Sequence, residues 1–80
     1  MKNVKGFCKD FRINQLKLTL QDVEYKTGVL VKTLSAFEND RSSNINHLNI
    51  YYSLCLDIRQ RRKFITGLYK AMELDRGLSN

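Results

Sequence analysis

Apolar side chains recur early in the chain at Val4, Phe7, Cys8 and Phe11, spacings of i, i+3, i+4 and i+7 that gather them on one stripe of a helix. The pattern predicts a first helix ending near residue 14, with Lys5, Lys9 and Arg12 on its other, polar face. After Leu16-Lys17-Leu18 comes Thr19, whose hydroxyl is suited to accept from the unpaired amides of a helix beginning at residue 20. Asp22 is favourable near the positive end of that helix. Helix two then covers residues 20–26 and stops at Thr27-Gly28, because glycine adopts the positive φ of a tight turn without steric penalty. Helix three, residues 31–38, turns Leu34 and Phe37 inward and leaves Val31, Lys32, Ser35 and Ala36 on its outer surface.

The polar run 39–43 ends this helix. Asn44 is placed to cap a fourth helix from residue 45, in which Ile45, Leu48, Tyr51, Tyr52 and Cys55 keep helical spacing and His47 falls on the polar face. Asp57 opens a fifth helix. Its apolar positions Ile58, Phe64, Ile65, Leu68, Tyr69, Ala71 and Met72 cover an arc of roughly 160°, wider than one packed neighbour requires. Part of that arc is therefore expected to meet a second chain, with Ile65, Leu68, Tyr69 and Met72 as dimer candidates and core packing as their competing use. Gly67 falls on the polar side, a natural place for a break, at a cost of about 1 kcal/mol relative to Ala. No period-2 alternation is convincing, so the expected architecture is all-α, a compact five-helix domain. Residues 1–56 form the main body, and residues 57–80 a C-terminal helix that packs on it, dimerises, or both.

Eighty residues leave room for a single domain with a thin margin of stability. A net charge of +6 favours a polyanionic partner, since a cation set against a phosphate releases a condensed counterion. No apolar run approaches the roughly 18 residues of a membrane span, and residues 2–9 lack the apolar core of a signal peptide, which together predict a cytoplasmic protein away from the membrane. Cys8 and Cys55 have no CxxC spacing and one histidine for company, so core packing is expected of them rather than zinc or redox chemistry. His47 has no serine or cysteine spaced to suggest a catalytic pair, and there is no glycine-rich nucleotide loop. No enzyme activity, cofactor or small-molecule ligand is expected.

The segment Leu18-Thr19-Leu20-Gln21-Asp22-Val23-Glu24-Tyr25-Lys26-Thr27-Gly28-Val29 resembles the phage repressor and Cro (XRE-like) family, whose members often read L-T-L-x-x-V-A-x-x-T-G-V. The similarity continues without a gap through Leu34, Phe37-Glu38-Asn39, Ile45 and Leu48, and covers residues 8–56. It implies a lambda-repressor-like helix-turn-helix, formed by helices two and three around a wedge of Val23, Val29, Leu34 and Phe37. In that family an arginine late in helix one pairs with the glutamate closing helix three, which corresponds here to Arg12 and Glu38. The resemblance makes helix three a recognition helix in the major groove of duplex DNA. Lys32 would then donate to guanine, Ser35 would bond base edges, and Val31 and Ala36 would meet thymine methyls. Thr19, Gln21, Asn39 and Arg41 would hold phosphates. A two-fold homodimer on a pseudo-palindromic operator, acting in transcriptional regulation, is the function this implies.

The chain departs from the family at particular places. Leu20 stands where many members have a phosphate-contacting glutamine, Glu24 where alanine is usual, Leu30 where a serine caps the recognition helix, and Asp40 where glycine is common. Glu24 must tilt outward or find a partner. If Val29 points inward, Leu30 and Val31 cannot both be buried easily, and adjacent exposed apolar residues mark protein contacts. A second function is therefore open, in which the Leu30 and Val31 face of the same scaffold binds a protein partner, as an inhibitor or antitoxin-like factor. Arg59, Arg61, Arg62 and Lys63 form the densest charge run, near a helix start whose dipole disfavours cations. DNA phosphate, an acidic partner and plain solvation all fit it. Arg61 projects toward the apolar arc, where snorkelling or pairing across an interface is expected.

Overall fold

The computed structural model describes residues 2–41 and 45–77, and among these the regular elements are all helical. In chain order they are α1 (Lys2–Phe11), a π turn (Arg12–Leu16), α2 (Leu20–Thr27), α3 (Val31–Glu38), a 3-10 turn (Ile45–His47), α4 (Leu48–Ser53) and α5 (Ile58–Arg76). The five-helix, all-α expectation is met. The first helix runs past residue 14 by widening, and Lys17 and Leu18 reach back with their amides to the carbonyl of Arg12. Lys17 takes a left-handed conformation, φ 56°, to make that turn. Helix four is shorter than its apolar spacing suggests, ending at Ser53, so that Cys55 is buried from the linker rather than from the helix. The expected Asn44 cap lies outside the described residues.

The caps explain where α2 and α5 begin. Thr19 Oγ1 accepts from the Asp22 amide at 3.0 Å while Asp22 Oδ2 accepts from the Thr19 amide at 2.9 Å, a reciprocal capping box. Asp57 does the same service for α5 by accepting from the Gln60 amide. Gly28 ends α2 at φ 80°. A Cβ there would meet no atom, so what glycine supplies is the left-handed backbone of the turn rather than room.

The core is built from Cys8, Phe11, Leu16, Phe37, Tyr51, Cys55 and Phe64, drawn from α1, the π turn, α3, α4, the linker after it and α5. Both cysteines are buried free thiols. Phe7, Phe11 and Phe64 form a ring cluster with centroids 5.1–5.8 Å apart, and it joins α5 to α1. Gly67 corrects the sequence expectation. It faces Phe7 rather than the polar side, a Cβ there would fall 2.3 Å from the ring, and α5 continues through it unbroken. Packing therefore accounts for a helix-weakening residue in the middle of a long helix.

Lys5 is a second correction. Only 2% exposed, it lies inside rather than on a solvent face, with Nζ 2.8 Å from Asp40 Oδ1 and 5.5 Å from the Phe37 ring centroid. Asp40, at φ 61°, occupies the left-handed position just beyond α3, and its carboxylate compensates the buried ammonium. The start of α1 is finished by α5, since the Asp75 carboxylate accepts from the amides of Asn3 at 2.7 Å and Val4 at 3.0 Å. Among the described residues no helix is long and apolar enough to cross a membrane.

Candidate functional site

The surface that sequence reasoning singles out is the outer side of α3 together with the start of α2. Val23, Leu34 and Phe37 are fully buried and pack α2 and α3 together, while Val29 is half-buried beside the glycine turn. Thr27 steadies this turn by donating from its hydroxyl to the Val23 carbonyl and accepting from the Val29 amide. With these residues inward, the opposite side of α3 is left accessible: Lys32 is exposed, and Val31, Ser35 and Ala36 are half-buried.

Arg12 and Glu38 meet as a two-pronged pair. Nε donates to Oε2 and Nη2 to Oε1, each at 2.9 Å, and Nη1 donates to the Leu18 carbonyl at 2.8 Å. Tyr51 adds a hydroxyl donated to Glu38 Oε2 at 2.7 Å. Glu38 thus ties α3 to the end of α1 and to α4 through one carboxylate with both oxygens satisfied. The hydrogen bond to Glu38 raises the Arg12 pKa above its ordinary value, so the guanidinium stays charged at any physiological pH. Burial, then the Glu38 bond and charge, push the Tyr51 hydroxyl up, which keeps it a donor. Burial first and the Glu38 charge second raise the Cys8 thiol to about 12, leaving it an inert packing group.

The departures at positions 24 and 30 both bear on the start of α3. Leu30 occupies the N-cap position of α3 and has no side-chain acceptor. The Glu24 carboxylate comes across the glycine turn and accepts from the Val31 amide at 2.7 Å, satisfying one of the unpaired amides that open the helix. A negative group at a helix start also meets the positive end of the dipole. Glu24 is therefore spent inside the α2–α3 unit. Asp40, just beyond α3, is likewise engaged by Lys5, and Asp22, at the start of α2, by the Thr19 amide.

Thr19, Gln21 and Val31 line one groove with Arg12, Asn14 and Lys17, so the start of α2 and the start of α3 share a surface. Asn39, expected among the phosphate contacts, is exposed, and its side-chain amide donates to the carbonyl of Ser35 at 2.9 Å and to its hydroxyl oxygen at 3.2 Å. Ser35 keeps its own hydroxyl proton for an external acceptor, and Arg41 is exposed just beyond the helix. Leu30 is 60% exposed and Tyr25, on α2, 92%.

His47 corrects another expectation. It is buried, its ring edge-on to Phe37 with centroids 5.1 Å apart, rather than on a polar face. Of the dimer candidates, Ile65 and Tyr69 are exposed, whereas Leu68 packs against the core cluster and Met72 is half-buried. Tyr52, Leu56 and Ile58 add exposed apolar surface from α4, the linker and the start of α5. The Arg61 guanidinium lies over the Tyr52 ring, 5.7 Å from its centroid, so the charged head itself stacks on that exposed aromatic surface. Sequence reasoning missed Lys5 and Gly67, because their partners Asp40 and Phe7 lie far away in the chain.

Comparison with known proteins found no match to this chain among family models, curated proteins or solved structures.

Proposed function

We propose that the chain is a duplex-DNA-binding regulator of the helix-turn-helix kind, with α3 entering the major groove and α2 lying across the backbone. The observation that carries this is a short helix held rigidly on its inner side, by Leu34, Phe37 and the Arg12–Glu38–Tyr51 network, with Lys32, Ser35 and the Val31 and Ala36 surface left accessible. A rigid mount is what base discrimination needs, because a misplaced donor loses the geometry that separates one base edge from another. Lys32 is the guanine-reading donor, Ser35 a second base contact, and Thr19, Gln21 and Arg41 the phosphate contacts. A two-fold dimer, formed through exposed Ile65 and Tyr69 with neighbouring Tyr52 and Ile58, sets two recognition helices on a symmetric operator.

Selection from a random duplex library at about 150 mM salt tests it. Enrichment of a two-fold symmetric site is the expected result, and retention of DNA without any preferred sequence overturns it. One observation favours a second function. Exposed Leu30 and Tyr25 flank this surface, and the same scaffold using them would block a protein partner, as an inhibitor or antitoxin-like factor. Leu30→Ser separates the two, since it leaves operator affinity nearly unchanged but removes an apolar anchor from a protein contact.

A further inference from the structure

A second groove runs between α1 and α5, floored by Phe7 and Phe11 and bordered on the α5 side by Arg62, Lys63 and Lys70. Those positions lie on one face of the helix, and Arg62 and Lys70 are separated by about 12 Å along its axis, the rise of three to four phosphates on one DNA strand. Among the described residues none of the three cations is in an ion pair. The one carboxylate lining the groove is Asp10. Asn14 lines this groove and also the first one, which holds Lys17, Thr19, Gln21 and Val31. Gln60 fastens the start of α5 beside that junction by donating to the Gln15 carbonyl at 3.1 Å. A single surface therefore leads from the start of α3, past Lys17, to the cations of α5.

We infer that Lys17, Arg62, Lys63 and Lys70 form a phosphate track that carries the DNA backbone beyond the segment met by α3. The inference rests on α3 as the DNA-facing helix. It assigns to the middle of α5 a role separate from its exposed Ile65 and Tyr69 stripe.

The test is salt-dependent binding of the full chain to the selected operator and to a random-sequence duplex. A variant carrying Arg62→Gln, Lys63→Gln and Lys70→Gln should lose roughly 0.9 from the log–log salt slope per residue, about 2.7 in total, on both duplexes. Between about 50 and 200 mM salt its affinity then falls roughly 40-fold less steeply than that of the parent chain. Discrimination between the two duplexes stays the same. A charge-keeping variant, Arg62→Lys with Lys63→Arg and Lys70→Arg, retains the slope. An unchanged slope in the neutral variant, with discrimination intact, overturns the track and leaves the α3 proposal standing. A slope that drops in a chain showing no sequence preference leaves the three cations as phosphate contacts but overturns the α3 proposal and, with it, the track as a continuation of an α3 contact. Competition by polyglutamate as effective as by random duplex overturns the track in favour of an acidic protein segment.

Discussion

Replacing Glu24 with alanine should destabilise the fold although the residue stands on the surface side of α2, because its carboxylate serves as the N-cap of α3. At the start of α3 the Leu30 carbonyl takes the Thr33 and Leu34 amides, and Glu24 takes that of Val31. Loss of such a cap costs about 1 kcal/mol, and the helix dipole adds a few tenths. In a domain of this size 1 kcal/mol moves the melting temperature by roughly 4–8 °C. Glu24→Gln keeps the acceptor and should lose only the smaller part. Leu30→Ser supplies an acceptor for the Lys32 or Thr33 amide rather than for the Val31 amide that Glu24 serves, so it should stabilise the parent chain and the Glu24→Ala protein by similar amounts, up to about 1 kcal/mol. Thermal unfolding followed by circular dichroism of the four proteins closes this double-mutant cycle. If Leu30→Ser restores the Glu24→Ala protein but leaves the parent chain unchanged, the two side chains serve the same amide and the reasoning fails.

Gly67→Ala should lower stability by about 1 kcal/mol or more despite alanine's higher helix propensity, since the new methyl meets a Phe7 ring held between Phe11 and Phe64; a rise in melting temperature would show that the ring yields freely. Arg12→Met should cost roughly 3–5 kcal/mol in urea unfolding, because it leaves the Glu38 charge buried with Tyr51 as its remaining bonded partner; a loss below about 1 kcal/mol would refute that account. The Lys5 hydrogen bond lowers the pKa of Asp40, and the backbone bond to Thr19 lowers that of Asp22, each from 3.8. Their stabilisation is therefore full above the ordinary carboxylate value and is lost as pH falls through the depressed one. Asp40→Asn and Asp22→Asn should each flatten the acid limb of a stability profile measured from about pH 5 to 2, and an unaltered limb would contradict the assignment.

What was legible in the chain is what depends on neighbours in sequence. Thr19 with Asp22, Gly28 and Asp57 act within a few residues, and the structure places them as caps and turn. The Arg12–Glu38 pair came from resemblance rather than from spacing. Helical periodicity sorts residues by polarity, so it assigned Lys5 and His47 to solvent, although a distant carboxylate and the Phe37 ring bring them inside. The same limit hid Gly67, whose reason is a ring from α1, and Glu24, whose partner lies across a turn. Asn39 was readable as an exposed amide, but not as one already occupied by Ser35.

The Asp75 clasp on the first turn of α1 bears on the order in which the molecule assembles. The amides of Asn3 and Val4 find their acceptor more than 70 positions later, and the aromatic contact that seats α1 also comes from α5. During synthesis, the apolar stripe of α1 stays uncovered until α5, more than 50 positions later, has been made. Closing so large a loop is entropically slow, so docking of the two terminal helices is expected to limit the folding rate. Once it is formed, the two ends of the described chain lie side by side. A short peptide joining them would remove that search and allow new termini to be opened elsewhere.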